Sequence, residues 1–328
     1  MRFSTVQRVL GLLMMIFSFT MIPPILVSLW YQDNALLAFI FGFARPFTAG
    51  AALWFPVRNT TEQMRIRDGF LIVVLFWVVL GLSGGLPFML SEELQMSFTD
   101  ASFESISGMT TTGATVLTQI EGLPESILYY RQQLHWFGGM GIIVLAVAIL
   151  PLLGIGGMQL FRAETPGPMK DAKLTPRIRE TAKSLWYIYL GITIACTVAY
   201  WMAGMTLFDA IGHSFATVAT GGFSTHDQSM AYFNSPIIEW ISIVFMFVAG
   251  ANFSLHYLSL RNRSILTYWR DPECRVYMVA PILIAVFIAA TLLVTRTYTD
   301  LHDVIRDSLF HVISIGTTTG FATAPFAE

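Results

Sequence analysis

Charge is scarce in this sequence. Asp, Glu, Lys and Arg together make up 12% of 328 residues, about half the share usual in soluble domains. So few charges cannot coat a water-facing globule of this size. Cysteine is nearly absent: Cys196 and Cys274 alone provide neither a disulfide framework nor a cysteine metal site. A net charge of −2 gives no basic surface for general nucleic-acid binding. No Walker loop is present, no nucleophile–base constellation can be named, and His135, His226, His256 and His302 show no HExxH-type spacing. These absences exclude a soluble enzyme, a disulfide scaffold and a nucleic-acid binder. What is abundant is apolar: hydrophobic residues reach 55% and aromatics 14%. The composition is that of an integral membrane protein, and its apolar runs and internal repeat make the expected fold all-α.

Crossing a bilayer core takes about 20 mostly apolar residues. Stretches of that kind run over Val9–Trp30, Ala35–Pro56, Phe70–Leu90, Leu134–Gly157, Leu185–Leu207, Ile237–Leu260 and Val276–Val294. With the N-terminus in the cytoplasm, the inner segments collect Arg2, Arg8, Arg58, Arg65, Arg67, Arg162, Lys170, Lys173, Arg177, Arg179, Lys183, Arg261, Arg263, Arg270 and Arg275. The outer segments hold only Arg131, Arg296 and Arg306, and Arg45 lies within a span. The positive-inside bias therefore sets a cytoplasmic N-terminus. Between Ser91 and Arg131 stand Glu92, Glu93, Asp100, Glu104, Glu121 and Glu125, an acidic outer face that would concentrate cations.

Three outer segments align without gaps: Asp100–Thr115, Asp209–Ser224 and Asp307–Ala322. Each places an Asp 13 residues before a Gly, at Gly113, Gly222 and Gly320. The repeating unit reads as span, short helix, Gly-containing loop, span. Each Asp is suited to cap a helix start. The roughly ten helical residues that follow reach about 15 Å, half a bilayer core. Such a helix ends at mid-membrane with its negative dipole end inward, which favours a cation. A Thr/Gly loop at that depth must line a pore or be buried in protein. Glycine permits positive φ, and rings of backbone carbonyls can replace the hydration shell of K⁺. The repeat thus points to a cation-conducting pore.

With these loops, the segments Trp136–Val144, Gly157–Lys170, Gly212–Phe215 and Gly222–His226 resemble the Trk-type potassium-uptake subunits of the Trk/Ktr/HKT superfamily. The resemblance runs along essentially the whole chain, and the two leading spans are similar to the Trk branch. It implies a fold of span–pore-helix–span units, potassium-channel-like, in a multi-pass protein of the bacterial inner membrane. The implied division is two leading helices over 1–69, pore repeat 1 over 70–160 and a cytoplasmic loop over 161–184. Pore repeat 2 then covers 185–262 and an incomplete repeat 3 covers 263–328. The resemblance also implies that K⁺ is held by main-chain carbonyls of Thr111, Thr112 and Gly113, of Thr220, Gly221 and Gly222, and of Thr318, Thr319 and Gly320. It implies a homodimer and a cytosolic nucleotide-binding partner that controls opening, with the nucleotide on that partner. The basic loop Gln159–Ser184 is a candidate docking surface. Four repeats are the rule in such proteins, and this sequence stops eight residues after Gly320. A fragment of a longer chain is expected, a truncated non-conducting subunit being the alternative.

Glu104, His213 and His311 occupy one equivalent position, four residues past the Asp. Hydrogen bonding behind the loops is expected of them, in preference to sensing pH in an outer vestibule. Arg45, beside Pro46, is the one clear mid-span charge. A proton- or sodium-coupled secondary transporter would place more ionisable groups there, so a channel-like uptake subunit is favoured over it. Gly138, Gly139 and Gly141 put small residues on a helix, suited to close approach.

Overall fold

The computed structural model describes residues 3–60, 66–141, 178–295 and 300–324. Among them there is no β-strand. Five helical segments are long and apolar enough to cross a membrane: Phe3–Tyr31, Leu36–Val57, Arg67–Leu90, Lys183–Met202 and Pro272–Val294. They agree with five of the seven expected spans. The described residues form two compact units, one of residues 1–110, 114–117 and 122–186, the other of 111–113, 118–121 and 187–328.

In the first unit α1 (Phe3–Ser18) passes through a tight turn into α2 (Ile22–Tyr31), and α3 (Leu36–Trp54) returns beside them. Val6, Val9, Leu13 and Phe17 recur at helical spacing on α1 and are buried. At the α1–α3 crossing Gly11 and Gly50 face each other, and a Cβ on either would lie 2.6 Å from the other's carbonyl oxygen. Small residues at that point let two backbones approach without lipid between them. The third span runs through α4 (Ile66–Leu75), a π-helical stretch over Phe76–Leu80, α5 (Gly81–Gly84) and α6 (Leu86–Leu90). The short α7 (Phe98–Met109) and then α8 (Glu125–Gly139) follow in this unit.

The span expected from Leu134 belongs to α8, which begins at Glu125 because Pro124 precedes it. Its first turn is capped from afar: Asp33 accepts the Ser126 N–H at 2.7 Å. Tyr130 of α8 donates to the Gly84 carbonyl, 2.9 Å away. The continuation to Gly157, the Gly157–Lys170 motif and most of the Gln159–Ser184 loop lie outside the described residues, as does Arg296.

In the second unit α9 (Ile178–Met202, from Tyr187 onward) meets α10 (Leu207–Val218) and α11 (Pro236–Ala249). The buried Tyr200 hydroxyl links all three, 2.9 Å from Thr217 Oγ1 and 3.0 Å from Ser242 Oγ. The short α12 (Phe253–Asn262) and α13 (Leu266–Arg270) lead to α14 (Pro272–Val294) and α15 (Leu301–Gly316).

Two expectations are corrected here. The stretch Ile237–Leu260 is not one straight span: α11 and α12 are bent by 87°. Gly250 and Asn252 sit at the break, and Asn252 caps the new helix by accepting from Ser254 N at 2.9 Å. Nor do the repeated Asp residues occupy the cap positions. Ser97 and Thr206 cap α7 and α10, and Asp100 and Asp209 stand three residues inside, where each carboxylate accepts the cap hydroxyl's proton, at 2.8 and 2.7 Å. Each hydroxyl in turn accepts the backbone N–H of that Asp, at 3.1 and 3.0 Å, so cap and Asp bond each other in both directions. In the third copy Asp300 is the cap and Asp307 lies well within α15. The Asp–Gly spacing marks a place in the repeat, while the helix itself starts at the nearest residue able to cap it.

Candidate functional site

Each of α7, α10 and α15 ends in a loop with the same backbone signature. Thr111, Thr220 and Thr318 have φ of 54°, 52° and 61°, and two residues on Gly113, Gly222 and Gly320 have φ of 73°, 80° and 83°. The residues between, Thr112, Gly221 and Thr319, keep negative φ. A β-branched residue at positive φ is a true outlier, and such strain costs about 1–3 kcal/mol per residue and persists only where surroundings impose it. Its recurrence at three matched threonines marks a shape the protein maintains. A backbone alternating in the sign of φ turns successive carbonyls to one side, the disposition needed for dehydrating a cation.

The three loops lie side by side within the second unit. A Cβ on Gly113 would collide with the Gly221 carbonyl oxygen, and one on Gly222 with that of Thr319. Only glycine meets both demands there, positive φ and backbone contact. The first loop therefore touches the second at Gly113 and Gly221, and the second touches the third at Gly222 and Thr319.

Behind the loops the equivalent positions Glu104, His213 and His311 divide. Glu104, fully buried, accepts from Thr115 Oγ1 at 2.9 and 3.0 Å and from Val116 N at 3.2 Å. His213 Nδ1 bonds the Asp209 carbonyl and its Nε2 bonds Ser224 Oγ, both at 2.9 Å. A carbonyl only accepts, so Nδ1 carries the proton and Ser224 donates to Nε2. Thr115 and Ser224 are each two residues past the loop glycine, so a carboxylate and an imidazole brace the same point of two repeats. His311 bonds the Asp307 carbonyl at 2.9 Å, and Ala322 stands at the position of Thr115 and Ser224. A second brace comes from serines: Ser107 donates to the Ala114 carbonyl at 2.6 Å and Ser314 to that of Phe321 at 2.7 Å. Their counterpart in the second repeat is Ala216.

Arg131, read from sequence as an outer-loop charge, is buried on α8 and bonds Glu104. Nothing in its neighbours foretold this, because the partner is 27 residues away on another helix. Arg45, by contrast, is exposed on α3, 5.8 Å from the Phe41 ring. Gly138 packs against the Met109 backbone at the end of α7, and Gly141 against the Trp77 ring, which accounts for these two small residues.

Past the first two loops, Asp227 accepts the Ile120 N–H at 3.0 Å and Glu121 accepts that of Asp227 at 3.2 Å. His226 stacks on Tyr232 and sets Nε2 3.2 Å from Asp209. Among the described residues no three His, Cys, Asp or Glu side chains are grouped to hold a metal ion.

Comparison with known proteins agrees with this geometry. A family model described as "TrkH: Cation transport protein" matches residues 36–328. The Trk system potassium uptake protein TrkH of Vibrio parahaemolyticus is 53% identical over 330 residues, spanning 100% of this chain and 68% of that protein. The Escherichia coli K12 protein of the same name is 53% identical over 328 residues, again 100% and 68%. The Escherichia coli K12 Trk system potassium uptake protein TrkG is 42% identical, spanning 98% of this chain and 66% of its own length. The crystal structure of the potassium transporter TrkH from Vibrio parahaemolyticus superposes with a TM-score of 0.88 at 50% identity, covering 100% of this chain and 67% of that one. An all-α, multi-span membrane chain with three matched loops of this backbone shape, this protein belongs to the TrkH family of cation transport proteins.

Proposed function

We propose that this protein takes up potassium through a filter of backbone carbonyls at Thr111, Thr112 and Gly113, at Thr220, Gly221 and Gly222, and at Thr318, Thr319 and Gly320. One observation carries the reading: positive φ recurs at the same two positions of all three loops, at a steric cost the threonines make plain. The names of the related proteins supply the ion, potassium, and the direction, uptake. Transport, not catalysis, is the chemistry, and K⁺ is cargo, not a cofactor.

The names also place the relatives in a Trk system, so a regulatory partner from that system is part of the proposal. Its finer form is a cytosolic nucleotide-binding subunit that opens the pore of a homodimer in the inner membrane. A pulldown from membranes with and without nucleotide tests the partner.

The ion filter is tested by Gly113→Ser in the complete protein. The added side chain collides with the Gly221 carbonyl, so the K⁺/Na⁺ flux ratio should fall about tenfold, an energy of roughly 1.4 kcal/mol. An unchanged ratio removes the loops from the ion path.

A further inference from the structure

The bend between α11 and α12 is held by side chains that lie outside the three loops. A helix broken in a membrane strands carbonyls that lipid cannot satisfy. Here two side chains from later in the chain take them. Tyr277, in the first turns of α14, donates its hydroxyl to the Phe247 carbonyl at 2.7 Å, and its ring stacks on Phe247 with centroids 4.9 Å apart. His256, on α12, bonds the Val248 carbonyl through Nε2 at 3.0 Å. That carbonyl can only accept, so Nε2 carries the proton and Nδ1 receives the Tyr268 hydroxyl, 2.8 Å away. Both of these carbonyls at the bend are therefore bonded.

It is also pressed against the third loop. A Cβ on Gly250 would come 2.6 Å from Tyr277 Oη and 2.7 Å from Thr317 Cγ2. Thr317 donates to the Ile313 carbonyl at 2.7 Å, and its hydroxyl lies 2.8 Å from that of Thr319. The contacts run unbroken from the Phe247 carbonyl through Tyr277, Gly250 and Thr317 to Thr319.

We propose that the broken span is the seat of the third loop, and that Tyr277 and His256 are positioning residues for ion selection. They hold Gly250 against Thr317, and Thr317 holds Thr319 where its carbonyl serves the ion. Packed interiors transmit small displacements rather than absorb them, and carbonyl coordination depends on placement within the ring. This rests on the filter reading above.

The test measures K⁺ and Na⁺ fluxes of the complete protein in proteoliposomes, with Gly222→Ser as a filter control. Tyr277→Phe keeps the stacked ring and frees the Phe247 carbonyl. Gly250→Ala drives a methyl group into Thr317. Each should lower the K⁺/Na⁺ ratio about tenfold, as should His256→Leu, whereas His256→Gln, which still offers an N–H, should keep most of it. A purely structural role would reduce the amount of folded protein and leave the ratio alone. If Gly222→Ser lowers the ratio while Tyr277→Phe and Gly250→Ala do not, the seat is refuted and the filter stands. If Gly222→Ser also leaves it unchanged, the filter reading fails first. Should Tyr277→Phe not reach the membrane, Gly250→Ala and the two His256 variants decide.

Discussion

Arg131 Nε donates to Glu104 Oε1 at 2.8 Å, and neither side chain has exposed surface. Glu104 carries Thr115 and Val116 on its other lone pairs, so the ion pair is the foundation of the first loop's outer flank. Arg131 adds a bond of its own to Thr115 at 3.1 Å.

Removing one member of a buried pair leaves an uncompensated charge, at about 3–5 kcal/mol, whereas removing both charges together is far milder. Arg131→Met should therefore unfold the protein in detergent at markedly lower temperature than wild type. The double variant Glu104→Gln with Arg131→Met should recover much of the loss. Equal thermal stability of the single and double variants would show that the pair does not matter as a pair.

Thr111 sits at positive φ, where glycine is free of strain. Thr111→Gly should hold stability or raise it by about 1 kcal/mol, the lost strain offset by a more flexible unfolded chain. The same change should lower the K⁺/Na⁺ ratio, because a glycine no longer confines the carbonyl. Thermal unfolding and flux measured on one preparation separate the two effects. A variant less stable yet fully selective would contradict the strain argument.

Asp33 lies in the loop between the first two spans and accepts hydrogen bonds from Ser28, Ala35 and Ser126. Partial burial raises its pKa, but these bonds outweigh burial and hold it below the usual carboxylate value. A depressed pKa gives stability that is complete above the unfolded value, about 3.9, and is lost as pH falls through the folded one. Asp33→Ala, which uncaps α8, should cost about 1 kcal/mol. The difference from wild type should stay constant between about pH 6 and pH 8 and narrow only in acid. A difference that varied across the neutral range would implicate another group.

What sequence made legible follows a physical divide. Length and apolarity are local, and five spans were readable from them. The loops were readable because the chain repeats itself, and Thr111, Thr220 and Thr318 align before their φ angles are known. Side chains acting across helices left no such trace. Arg131 has the look of an outer-loop residue until α8 carries it to Glu104. The 87° bend hides in an apolar run where Gly250 and Asn252 do not stand out from Glu239, Ser242, Ser254 and His256. Asp100 and Asp209 were placed one turn late because Ser97 and Thr206, ordinary residues in any loop, cap better from where they stand.

The flanks of the first two loops use different chemistry for one task, Glu104 with Arg131 in one and His213 with Ser224 in the other. In a pore assembled from identical chains, a substitution strikes every loop at once and is tolerated by all or by none. Here the loops sit on one polypeptide and are written separately, so a mutation alters a single sector. With the proposed filter, selectivity and conductance would then be adjusted by degrees, one sector drifting while its neighbours keep transport alive.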